Sequence, residues 1–209
     1  MKYTTSLFTL SIFVLLTLGV SLQAQQFEGG ITGGIAGSQV NGDDLGGYNK
    51  AGLTFGPYVK LSISPKSSLQ MQLEYFQKGS RANPDSTNNF ESYLLRLNYL
   101  QIPVYYQYKY NDFFGFHAGL SYGVLVYDYE ERNGYEVLTP QYPFENDDLS
   151  VHAGIHWYTT EQLTVKLEVA HSLLYIREQT EGTLWIFNQG QYNHYLLLAV
   201  QYQIKGIFN

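Results

Sequence analysis

The sequence predicts an all-β chain, an eight-stranded antiparallel up-and-down barrel of the transmembrane kind. Three observations predict it. Apolar and polar residues alternate with a period of two through eight separate runs, the signature of strands with two unlike faces. The connections between those runs go long, short, long, short, long, short, long, and membrane barrels show this asymmetry between their two ends. Aromatic residues form 16% of the chain and charged residues only 14%. A soluble domain carries about 25% charged residues, so this surface is short of charge and rich in interfacial side chains.

The N-terminus reads as an export signal. Lys2 supplies the positive start, Leu7 to Val20 the apolar stretch, and Ser21-Leu22-Gln23-Ala24 a cleavage site before Gln25. The signal peptide is thus expected over residues 1–24 and the barrel domain over 25–209. A helical anchor is the alternative, but the apolar stretch is short, and no run of roughly 18 apolar residues follows it. There is no cysteine, so strand pairing and not disulfides must hold the exported chain together. The net charge of −6 and the lack of a basic stripe speak against nucleic acid as a partner.

The first strand, Phe27 to Val40, is rich in glycine, with Ile31 and Ile35 on one face and Glu28, Thr32 and Ser38 on the other. Gly33-Gly34 has no GxGxxG pattern or P-loop lysine beside it, so bending of a small barrel explains the glycines better than phosphate binding. After the turn residues 41–49, the second run sets Leu53, Phe55, Val59, Leu61 and Ile63 against Thr54, Tyr58, Lys60 and Ser62. Ser64 to Ser68 turns the chain into a third run, where Leu69, Met71, Leu73 and Tyr75 oppose Gln70, Gln72, Glu74 and Lys78. A polar loop, Gly79 to Glu91, leads to the fourth. There Leu100, Ile102, Val104, Tyr106 and Tyr108 alternate with Gln101, Pro103, Tyr105 and Gln107. Pro103 lacks a ladder donor, which places it at a local interruption of the pairing. Leu95 and Leu97 are odd-numbered where the later apolar residues are even, which predicts a β-bulge near Tyr99 that shifts the face.

The fifth run, Phe113 to Tyr129, opposes Phe114, Phe116, Leu120, Tyr122 and Val124 to His117, Ser121 and a series of glycines. A long acidic loop, Glu130 to Asp148, precedes a sixth run with Val151, Ile155 and Trp157 against His152 and His156. The seventh, Leu163 to Tyr175, has Val165, Leu167 and Val169 against Lys166 and Glu168. After the loop Arg177 to Gln191, the eighth, Tyr192 to Ile204, sets Leu196, Leu198 and Val200 against Tyr195 and Gln201.

Backbone groups in lipid have no water to bond, so a chain of strands must close on itself to cross. Eight strands leave an interior just wide enough for side chains. Lys60, Glu74, Lys78, Arg96, Lys166 and Glu168 are therefore expected to fill the lumen as a structural polar network. Opposite charges there serve folding, and a catalytic dyad at Glu74 or Lys166/Glu168 is the less economical reading. His152 and His156 have helical metal spacing but would lie about 13 Å apart along a strand, so no metal is expected at them. The acids of 130–148 lack EF-hand spacing. No catalytic residues, cofactor or metal are expected. In the long loops, Tyr142, Phe144, Trp185 and Phe187 are the candidate contact residues, bulky apolar groups in polar surroundings.

The order GGITGGIAGSQV, AGLTFGPYVKLSI, LQMQLEYFQKGS, LNYLQIPVYYQYKY and FGFHAGLSYGVLV resembles the PorT-like outer membrane β-barrel family of Bacteroidetes-type bacteria, most recognisably in EYFQKGS and NYLQIPVYYQY. The resemblance covers nearly the whole mature chain. It implies an outer membrane barrel in contact with lipid, and an envelope or secretion-complex protein as a possible class of partner. The function expected is non-enzymatic, a monomer whose external loops bind a partner or assemble an envelope complex. Two alternatives stand beside it. A membrane-embedded lipid-modifying enzyme would use His171 and Ser172 near the rim, and a soluble periplasmic lipocalin-like barrel would place the apolar face inside.

Overall fold

The structure, a computed structural model, describes residues 27–43, 45–86, 88–138, 142–178 and 190–206. The signal expected over 1–24 and the candidate loop contacts Trp185 and Phe187 lie outside the described residues. Eight long strands follow one another: β1 (Phe27–Asn41), β2 (Lys50–Ser64), β3 in two pieces (Ser67–Gln72 and Glu74–Ala82), β4 (Tyr93–Lys109), β5 (Phe114–Arg132), β6 (Asp147–Tyr158), β7 (Leu163–Ser172) and β8 (Gly190–Ile204). Two short pieces, Tyr135–Glu136 and Arg177–Glu178, extend the structure at the end of the long connections. Each strand pairs antiparallel with its sequence neighbour. β1 also pairs with β8, from Gly29↔Ile204 to Asn41↔Tyr192, which closes the ring, so that among the described residues none of the eight long strands is an edge.

Exposure in the closed ring decides which face is which. Ile102 and Val104 are 47% and 45% exposed, whereas Gln101 and Gln107 between and beside them are buried. The same holds for Leu53 and Phe55 against Thr54, and for Leu196 and Leu198 against Leu197. An apolar outside is the reverse of a lipocalin, so that alternative is set aside. Tyr106, Tyr108, Tyr110, Phe113, Phe114 and Trp157 are exposed around the short-connection end, where they form an aromatic girdle.

β4 corrects one expectation. Its alternation runs unbroken from Tyr93 to Lys109, so Leu95 and Leu97 point inward and are fully buried. The register does shift between Asn98 and Tyr99, but the extra residue is Val126 on β5, and the change of face happens there. Leu95 and Leu97 serve an apolar part of the interior, so their odd parity marks no change of face within β4. Pro103 sits opposite the break in β3. It pairs with Ser121 on its other side, while Leu73 turns its N–H to the Pro57 carbonyl of β2 at 3.1 Å. The missing donor of proline thus falls where the ladder is already open.

Gly79 on β3 has φ +137°, and a Cβ there would run into the Leu95 carbonyl of β4. The close approach also lets the Ser38 hydroxyl of β1 donate to the Gly79 carbonyl at 2.9 Å. Gly79→Val combines an unfavourable backbone region with overpacking, and is expected to cost at least about 3 kcal/mol. Refolding into detergent followed on unboiled gels should show the folded band lost, while Gly46→Val, where nothing lies within 4 Å of the added Cβ, keeps it.

Candidate functional site: the filled lumen and its cap

The interior is filled at successive levels between the two ends. At the mouth of the short connections, Glu28 of β1 stands opposite Lys60 of β2 and pairs with it, both about one quarter exposed. Lys60 is therefore a rim residue, open to water. Further in, β7 presents Lys166 and Glu168 on its buried face. The Glu168 carboxylate meets Lys166 Nζ at 3.0 Å, His117 Nε2 at 2.9 Å and His152 Nδ1 at 3.0 Å. His152 Nε2 lies 2.7 Å from Ser121 Oγ, so this ring is held at both nitrogens. Tyr105 closes the level, its ring below Lys166 Nζ at 4.9 Å and edge-on to His117 and His152.

Glu74 of β3 accepts from Thr54 Oγ1 and from Gln101 Nε2 at 2.9 Å, and among the described residues it has no cation partner. Above it, Lys78 Nζ donates to Asp148 Oδ2 at 2.9 Å, with both side chains buried. Ser150, Ser172 and Asn193 also donate to Asp148, at 2.9, 2.7 and 2.9 Å. The rings of Phe76, Tyr99 and Tyr195 surround the ammonium at 5.4, 4.9 and 5.3 Å. Donors saturating a buried carboxylate and rings around a buried cation are what a low-dielectric interior requires.

The last level is apolar. Val40, Tyr93, Leu95, Leu97, Tyr99 and Ile176 pack together, with Leu45 and Phe144 against them. Phe144, expected as a loop contact, turns inward: it bridges to Arg177, whose guanidinium lies 3.6 Å from the ring centroid. Arg177 also binds Glu130, which accepts from Tyr93 Oη at 3.0 Å. This pair lies beyond the Val126 bulge, outside the spanning part of β5. Burial alone would raise the Glu130 carboxyl, but Arg177 outweighs it and holds the group below the usual carboxylate range. Tyr142 is half-buried.

Of the residues expected in the lumen, Glu74, Lys78, Lys166 and Glu168 are buried there. Arg96 is not. It lies on the outward parity of β4, exposed, with its guanidinium 5.7 Å from the Tyr129 ring centroid. The same misplaced bulge that sent Leu95 outward sent Arg96 inward. Glu130 and Asp148, read as the ends of an acidic loop, are strand residues with buried side chains. Asp148 shares the parity of Ser150 and His152, and carrying the alternation two residues back would have found it. His171 and Ser172 do not form a pair: adjacent on β7, they point to opposite faces. Ser172 is bonded to Asp148, and His171 stacks on Tyr192. Among the described residues no three metal-ligating groups are gathered.

Residues 23–176 match the outer membrane protein beta-barrel domain family. The chain belongs to that family. Its match stops before β8, the strand whose pairing with β1 completes the ring. Solved structures similar to it include Neisserial surface protein A, at 12% identity and TM-score 0.55, with 84% of this chain and 97% of that one covered. Another is Ail, the attachment invasion locus protein of Yersinia pestis, solved with the heparin analogue sucrose octasulfate. It shows 11% identity and TM-score 0.50 over 86% of this chain and 99% of that one. At these identities the likeness is one of fold. No curated protein matches. As a bacterial outer membrane barrel, the chain turns its apolar outer band to lipid, and its buried polar groups must find their partners within the protein.

Proposed function

We propose that this outer membrane barrel is a non-conducting, non-enzymatic monomer, exported by residues 1–24, whose long connections face the cell exterior and bind a protein partner or assemble an envelope complex. The observation that carries the reading is the filled interior. Tyr99, Tyr105, Tyr195, Phe76, Lys78 and Lys166 are all fully buried within the ring, so transport through the barrel is blocked and function falls to the connections. Long loops held by a rigid scaffold are where binding concentrates. The pieces EYFQKGS and NYLQIPVYYQY further support a PorT-like member, with a secretion-complex or other envelope protein as partner.

Two measurements test this. Folded protein in planar bilayers should give no discrete conductance steps; regular openings would refute the plug. Affinity capture from detergent-solubilised outer membranes should return a partner that is lost when residues 133–143 are deleted. Recovery of the same partner by the deletion variant would move the contact elsewhere.

A further inference from the structure

We propose that the outer wall of the barrel carries a binding site for a phosphorylated, acylated saccharide lipid of the outer leaflet, built from a notch with two exposed arginines, Arg81 and Arg96, backed by Lys50, and an adjoining apolar groove. The notch has a topological cause. β2 and β3 are in register at Thr54↔Phe76 and Phe55↔Tyr75, and beyond these pairs the two strands part towards the long-connection end. The gap is a cavity of about 520 Å³, lined among others by Lys50, Arg81 and Arg96. Arg81 and Arg96 are exposed on the outer parity of β3 and β4. Lys50, the first residue of β2, lies on the inward, buried parity of its strand and lines the back of the gap.

Among the described residues these three cations have only neutral hydrogen-bond and ring partners. Lys50 Nζ donates to the Ala51 carbonyl at 2.8 Å, Arg81 Nε to Asn83 Oδ1 at 3.0 Å, and Arg96 rests over Tyr129. The chain has 12 Lys and Arg against 18 Asp and Glu, yet among the described residues a single carboxylate, Glu131, lines this cavity, and Tyr129 Oη already donates to it. The notch is thus locally cationic on an acidic protein. Its height fits a headgroup. On β4 the outward residues pass from Val104, Ile102 and Leu100 to Asn98 and then Arg96, so the guanidinium stands just above the apolar band. Arginine there binds phosphate bidentately.

The second observation is independent of charge. Next to the notch, and sharing Asn49, Ala51 and Gln77 with it, runs an apolar groove of about 520 Å³ on the lipid-facing wall, lined by Ile35, Gly37, Leu53, Leu196 and Leu198. Gly37 and Tyr48 meet in its wall, Tyr48 Cβ lying 3.1 Å from where a Cβ on Gly37 would stand. An acyl chain in the groove would place its headgroup phosphate in the notch. A free phosphate would use only half of the site.

The test uses the full folded protein in detergent micelles, probed by native mass spectrometry with bisphosphorylated lipid A, its dephosphorylated form and inorganic phosphate. Bisphosphorylated lipid A should be retained at least tenfold better than the dephosphorylated form. Arg81→Gln with Arg96→Gln should abolish that preference, while Lys66→Gln in a short connection leaves it intact. Gly37→Leu, which fills the groove, should weaken retention without touching a cation. Heat-shifted mobility on unboiled gels verifies folding, and if the double variant fails to fold, Arg96→Gln alone carries the test. Equal retention of the two lipid forms, an unchanged preference in the arginine variant, or competition by equimolar inorganic phosphate would overturn the assignment. The inference rests on the long connections facing outward, and protease cleavage within 133–143 on intact cells checks that orientation separately.

Discussion

Lys78→Ala is expected to lower the unfolding free energy by about 3–5 kcal/mol, the range for stripping one partner from a buried ion pair. Asp148 would keep its hydrogen bonds from Ser150, Ser172 and Asn193, yet its charge would face the rings of Tyr99 and Tyr195 with no cation beside it. The loss comes from the stranded carboxylate, so Lys78→Met combined with Asp148→Asn should recover much of it. Urea titration of the refolded barrel, followed by tyrosine and tryptophan fluorescence, gives the midpoints. A single variant within about 0.5 kcal/mol of the parent, the scatter of an ordinary surface substitution, would mean that the pair does not matter to the fold.

Removing Glu168 should cost as much or more. Glu168→Ala leaves Lys166, His117 and His152 without their shared acceptor, whereas Lys78→Ala strands one group only. Lys166 keeps the Tyr105 face at 4.9 Å, which offsets part of the loss. We expect a destabilisation of about 3–5 kcal/mol for Glu168→Ala, with a smaller one for Glu168→Gln, which preserves an acceptor and the side-chain volume. A double-mutant cycle between Lys166 and Glu168 should show coupling on the order of 1–3 kcal/mol. Additive effects in that cycle would show that the two groups fold independently of each other.

Much of this architecture is legible along the chain because alternation is a local property. Leu100, Ile102 and Val104 announce one apolar row, and Glu74, Lys166 and Glu168 a polar one, from their spacing alone. Parity fails where a strand has to satisfy something other than lipid. Leu95 and Leu97 looked like a continuation of the outer band but build the apolar cap. Arg96, one residue between them, was carried to the wrong side by the same step. Phe144 and Arg177 belong to segments with no period to read, so their stacking on the cap had no sequence signal.

The amino-acid sequence by itself determined that there are strands, how many, that each has one apolar and one polar face, and which connections are long. A period of two and the turn residues between runs are written within a few positions of one another. Only the tertiary structure decided who meets whom inside. Lys78 and Asp148 lie 70 residues apart and are brought to 2.9 Å by the accumulated register of four strands. The place where β2 and β3 separate to open the cationic notch was set the same way. Closing a ring fixes such partnerships all at once, and no single strand holds the information that fixes them.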